Sequence, residues 1–117
     1  MDCNINCYDV NDYETGYLAG VLNDSDAVLF GSPTLNKDAV EPINSLLCHI
    51  DAINTKYKSA AAFGSFGWSG EAVPLMTERL KGLKFKVNHD GFKINFVPSE
   101  DQLNDAFRYG AEFANDI

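Results

Sequence analysis

The chain has 117 residues and a mass of 12.9 kDa, enough for one small domain that buries roughly 65% of its unfolded surface. Hydrophobic residues make up 45% and charged residues 22%, which excludes a disordered chain, and no apolar run approaches the ~20 residues of a membrane span. The formal charge of -8 opposes contact with nucleic-acid phosphates or an anionic membrane and favours a basic protein partner.

In chain order, Asn4 to Val10 reads as a short strand, with Ile5 and Cys7 on one face and Tyr8 and Val10 on the other. Thr15 to Asn23 follows as a helix with Thr15 as its cap and Tyr17, Leu18, Val21 and Leu22 along its inner stripe. Ala27-Val28-Leu29-Phe30 is a continuous apolar run closed by Gly31-Ser32-Pro33, the pattern of a strand buried on both faces of a parallel sheet. Pro42 then opens a helix, because its missing N–H is not needed in the first turn, and Ile43, Leu46, Leu47, Ile50 and Ile53 repeat at helical spacing.

Ala60-Ala61-Ala62-Phe63 is a second buried strand ending in glycine, whose small side chains permit close helix packing. Ser69 is positioned to cap a helix carrying Val73, Met76, Leu80 and Leu83, with Pro74 tolerated near its start. Phe85-Lys86-Val87 and Gly91 to Phe96 read as one strand interrupted at 88–91 or as two short ones. Ser99 to Gln102 matches the S-x-x-Q capping box of a last helix, with Leu103, Ala106, Phe107, Gly110, Phe113 and Ala114 on its inner side. Alternation of this kind predicts an α/β fold, a mostly parallel sheet with helices on both faces and right-handed crossovers.

Chemistry-bearing residues are few. Three cysteines without C-x-x-C spacing and two separated histidines argue against a disulfide framework and against a zinc centre, so no metal site is expected. Cys48 and His49 are neighbours in a helix, point about 100° apart, and do not form a nucleophile–base pair. No catalytic acid, base or nucleophile is assigned. Met1-Asp2-Cys3-Asn4 lacks the features of a signal peptide, which predicts a cytoplasmic location.

Two strand exits share a composition. The segments "GSPTLN" at 31–36 and "GSFGWSG" at 64–70 both leave the carboxyl ends of neighbouring parallel strands, the edge where open α/β sheets bind ligands. Hydroxyls and amides there, with glycines that admit close backbone approach and one indole, Trp68, suit a flat polar ring system; stacking on Trp68 contributes ~0.5–1.5 kcal/mol beyond buried area.

The segments "DAVLFGSPTLN", "AAAFGSFGWSGEAV" and "FKINFVPSEDQLNDAFRYGAEFA" resemble the flavodoxin-like domain of flavodiiron proteins, the A-type flavoproteins, over about Ile5 to Ala114. The resemblance implies a single flavodoxin-like three-layer domain over 1–117 that binds FMN and transfers electrons, in an oxidoreductase whose di-iron centre lies in another domain. It also implies cofactor-binding residues: Ser32, Pro33, Thr34, Leu35 and Asn36 on one side of the isoalloxazine, and Ser65, Phe66, Gly67, Trp68, Ser69 and Gly70 on the other.

Against the family pattern the domain is N-terminally incomplete: its first strand and phosphate loop have no counterpart, and the carboxylates Asp9, Asp12 and Glu14 would repel an FMN phosphate. In a sheet of order 2-1-3-4-5 this leaves a gap of roughly 9.6 Å beside the Ala27 strand. The Ile5 strand is then expected to pair directly with Val28-Leu29-Phe30, or a second copy of the chain completes the sheet. Two functional readings follow: an FMN-dependent electron-transfer module exchanging electrons with a redox protein donor or acceptor of basic face, and a cofactor-free domain that acts through protein contacts alone.

Overall fold

The computed structural model describes residues 4–35, 37–50, 58–67, 70–95 and 98–115. Helix α1 (Thr15–Asn23) leads into β1 (Ala27–Gly31), α2 (Glu41–Cys48), β2 (Ser59–Phe66), α3 (Ala72–Gly82), β3 (Phe92–Asn95) and α4 (Glu100–Asn115). The three strands lie in the order β1-β2-β3 and pair in parallel, with Phe30 opposite Ala62 and Phe63 opposite Phe92.

Side-chain alternation along the strands sorts the sheet into two faces. On the first, Phe30, Ala60 and Ala62 are buried with Leu18 and Leu22 of α1, Ile43, Leu46 and Leu47 of α2, and Val73, Met76 and Leu80 of α3. The alanines of β2 bring α3 close to the sheet, and Leu80 and Met76 are among the largest fully buried side chains. On the second face Phe92 meets Tyr109 of α4 at 5.2 Å between ring centroids, which places α4 there. Leu29 and Phe63 point to the same face and are exposed.

Local chemistry explains the helix ends. Pro42 lies in the first turn of α2, where it displaces no hydrogen bond. At α4 the capping box forms in both directions: the Gln102 N–H donates to Ser99 Oγ at 3.2 Å, and the Ser99 N–H donates to Gln102 Oε1 at 2.9 Å. Helix α3 stops through a left-handed Lys84 (φ 69°), with the Phe85 N–H donating to the Leu80 carbonyl at 3.2 Å and the Lys84 N–H to Lys81 at 3.1 Å.

The structure departs from the sequence expectations at several places. Residues 4–9 form no strand; Ile5 is 77% exposed, and among the described residues β1 pairs only with β2, so Ile5 does not move in beside Val28-Leu29-Phe30. Alternation alone supplied no partner for that segment, and a strand needs one to satisfy its backbone groups. Thr15 is the first helical residue of α1 rather than its cap; Glu14 holds the cap position without a side-chain bond, and Tyr17 faces solvent.

Helix α2 ends at Cys48, and the expected continuation to Ile53 lies outside the described residues except for the buried Ile50. The interrupted strand proves to be a lone bridge of Lys86 to Ser59 followed by β3. On α4, Phe113 is buried but Phe107 is 81% exposed and Leu103 is exposed, because no described element lies over that part of the helix.

Candidate functional site

The ends of β1 and β2 run side by side beyond the regular strand pairing. The Ser32 N–H donates to the Phe63 carbonyl and the Thr34 N–H to the Ser65 carbonyl, both at 3.1 Å, so residues 32–34 continue the ladder along the longer β2. A Cβ on Gly64 would run into the Ser32 carbonyl oxygen, so only glycine admits this approach. Across the sheet, the Phe63 ring lies over Gly31 in space that a side chain there would fill.

Each first-loop residue then has a distinct position. Ser32 is buried, and its hydroxyl donates to the Pro33 carbonyl at 2.8 Å while accepting the Val40 N–H at 2.9 Å, so it braces the loop from within. Thr34 Oγ1 accepts the Ala72 N–H at 3.2 Å, joining the first loop to the start of α3; the proton of that hydroxyl remains available. Pro33 and Leu35 are exposed at the rim. Leu35 and Asp38 exchange backbone bonds of 2.9 and 3.0 Å in a tight turn that holds Lys37 left-handed at φ 62°. Asp38 Oδ1 accepts the Ala39 N–H at 2.7 Å, closing the turn.

On the second loop Ser65, Phe66 and Gly70 are half-buried and Gly67 is exposed. The space a Gly70 side chain would need is bounded by the Lys93 stem and the Phe66 ring. Asn36, Trp68 and Ser69 fall outside the described residues, and so does the expected Ser69 cap of α3, whose cap position is held by Glu71. The structure therefore brings Ser32, Pro33, Thr34 and Leu35 together with Ser65, Phe66, Gly67 and Gly70 at one sheet edge.

Sequence reasoning did not place Lys93 and Lys37 beside the two loops. Lys93 reaches the site through the β2–β3 register, which no local pattern encodes; the Lys37 turn had a signal in the N-K-D run after Leu35. Among the described residues no group of three histidine, cysteine or carboxylate side chains is arranged to hold a metal ion, and no helix is long and apolar enough to cross a membrane. Away from this edge, burial, with Asp90 nearby, raises the Tyr109 hydroxyl above its ordinary 10.0.

A three-stranded parallel sheet flanked by helices, with paired loops at its carboxyl edge, defines an open α/β domain of the ligand-binding kind. The Flavodoxin family profile matches residues 1–110, and the chain belongs to that family. It is 52% identical over 116 residues to the flavo-diiron protein FprA2 of Clostridium acetobutylicum, covering 99% of this chain and 29% of that protein. It is 34% identical over 116 residues to a type A flavoprotein of Rhodobacter capsulatus, of which it covers 27%. The chain thus spans less than a third of these relatives.

Among solved structures, the flavodiiron protein from Giardia intestinalis superposes with a TM-score of 0.83 at 31% identity, over 91% of this chain and 27% of that one. Flavodoxin 1 from Bacillus cereus, 23% identical with a TM-score of 0.78 over 92% of this chain and 75% of its own, shares the fold.

Proposed function

We propose that the chain is the FMN-binding electron-transfer module of a flavodiiron-type flavoprotein oxidoreductase, with the isoalloxazine bordered by residues 32–36 and 65–70. The observation that carries this reading is the joined pair of loops at the carboxyl ends of β1 and β2, fastened by the Thr34–Ala72 bond and by the backbone approach at Gly64. The donor set fits a flat heterocycle: the Thr34 hydroxyl keeps a proton to donate, the exposed Pro33 and Leu35 present apolar edges, and Gly67 leaves its backbone open to a ring. Similarity to the FprA2 flavo-diiron protein across 99% of the chain supports the same assignment.

Bound FMN supplies one- and two-electron redox chemistry. The chain's residues bind and orient the ring and shield one side of it from water, and no side-chain acid or base is required of them. Its phosphate is a separate matter: Asp9, Asp12 and Glu14 ahead of α1 are carboxylates and oppose a dianion. Reduction of oxygen or nitric oxide belongs to a di-iron centre elsewhere in such a protein. Exchange with a redox protein of basic face follows from the net charge, and a second copy of the chain beside the β1 edge is the proposed oligomeric contact.

A visible spectrum tests the reading directly. The purified chain, supplied with FMN and desalted, is expected to keep the absorption bands of oxidised flavin, and Trp68→Ala is expected to weaken that binding with the far-UV spectrum unchanged. A colourless sample after FMN addition overturns the assignment and leaves the cofactor-free reading through protein contacts. Riboflavin binding about as tightly as FMN would locate the affinity in the ring alone.

A further inference from the structure

Three tyrosines meet on the surface around the first turn of α1. The Tyr13 ring stacks on Tyr17 with centroids 5.4 Å apart and planes within 14°, and Tyr8 meets Tyr13 edge-on at 5.3 Å. All three are exposed, from 38% to 56%. The segment that carries them is fixed: Val10 packs on the hydrophobic core, the Asn11 N–H donates to Asp9 Oδ1 at 2.9 Å, and the Asp12 N–H donates to the Asp9 carbonyl at 3.0 Å. The aromatic group is therefore assembled before any partner arrives, which lowers the entropy lost on contact.

Charged side chains along this segment have one sign. Asp9, Asp12 and Glu14 lie between the tyrosines in sequence and are all exposed. The first 36 residues hold six of the chain's 17 carboxylates (Asp2, Asp9, Asp12, Glu14, Asp24 and Asp26) and none of its nine lysines and arginines. The group also lies toward the flavin pole. Lys58, just ahead of β2, donates to the Leu22 and Asn23 carbonyls at 2.9 and 2.5 Å, which pins the C-terminal end of α1 at the amino end of the sheet. The nine-residue helix runs about 13 Å from there, so its tyrosine-bearing start projects toward the end from which residues 32–38 emerge.

We propose that Tyr8, Tyr13 and Tyr17, with Asp9, Asp12 and Glu14, form the docking surface for a lysine- or arginine-rich redox protein. Lysines of that partner meet the carboxylates and lie against the tyrosine ring faces, and the tyrosines supply the desolvated centre of the contact. The partner's redox character rests on the function proposed above; the surface itself does not.

Mitochondrial cytochrome c, a lysine-rich haem protein, serves as the probe, titrated calorimetrically into the full chain at about 20 mM and about 300 mM salt, with its lysine-acetylated form alongside. The substitutions Asp9→Asn, Asp12→Asn and Glu14→Gln together are expected to weaken binding about tenfold at low salt and to flatten its salt dependence. Removing the same charge from α4 with Glu100→Gln, Asp101→Asn and Glu112→Gln is expected to cost twofold or less. Tyr13→Ser, with the far-UV spectrum confirming the fold, is expected to weaken binding about fivefold while the salt dependence stays as it was.

Equal losses from the two charge sets overturn the proposal, as does a Tyr13→Ser chain that binds as before. A Tyr13→Ser change that converts a dimer to a monomer without altering cytochrome c binding overturns it in favour of a second copy. Flavin uptake separates the two readings: a yellow chain lacking this selectivity sinks the surface alone, and a colourless chain that keeps it sinks the flavin assignment alone.

Discussion

The two faces of the sheet are built to different degrees. On the first, α1, α2 and α3 close over Phe30, Ala60 and Ala62; on the second, α4 covers the Phe92 end while Leu29 and Phe63 remain exposed. The same three strands supply both, so strand sequence does not make the difference. What differs is the number of helices delivered to each side. Stability therefore resides mainly in the first face, and the paired loops above it inherit its rigidity through Gly64 and the Thr34–Ala72 bond.

That division is open to direct attack. Leu80→Ala, which empties a fully buried site on the first face, is expected to lower unfolding free energy by about 2–5 kcal/mol in urea titration, whereas Phe107→Ala over the open face costs about 0.5 kcal/mol or less. Similar losses from both would show that the second face is as closed as the first. Gly64→Ala is next: the added methyl meets the Ser32 carbonyl, with an expected cost of about 1–3 kcal/mol and flavin uptake reduced in the same sample.

A smaller effect separates the faces further. Ser99→Ala removes one half of the α4 capping box, costs about 1 kcal/mol, and raises amide exchange in α4 while that of α3 stays unchanged. The smallest effect concerns pH. Tyr109 donates to the Asp90 carbonyl at 2.6 Å, and its hydroxyl ionises in the folded chain above the ordinary value of 10.0. Its contribution is thus fully present below that pH and is lost as the pH rises through the folded value; Tyr109→Phe is expected to remove this part of the alkaline decline in thermal-melt midpoints.

Legibility in the sequence followed the range of the interaction. The capping box at Ser99, the proline start of α2 and the Val73–Met76–Leu80 stripe are encoded within a few residues, and each forms as read. The Asn4–Val10 strand needed a neighbour that no local pattern specifies. On α4 an apolar stripe wider than its covering left Leu103 and Phe107 outside, and at α1 the hydroxyl of Thr15 yielded the cap position to Glu14. For the candidate site, composition located both loops, but the internal use of the Ser32 hydroxyl and the reach of Thr34 to Ala72 depend on contacts eight and 38 residues apart.

Among the described residues the sheet contains no hairpin. Ala27 finds Ser59 and Phe63 finds Phe92, each across about thirty positions of intervening chain, so two large loops must close before either ladder gains a bond. Helices can form early, yet the strands wait for a distant neighbour. Until they meet, Phe30 and the apolar helix faces that cover it in the folded chain are available to other molecules, and yield on refolding should fall as protein concentration rises.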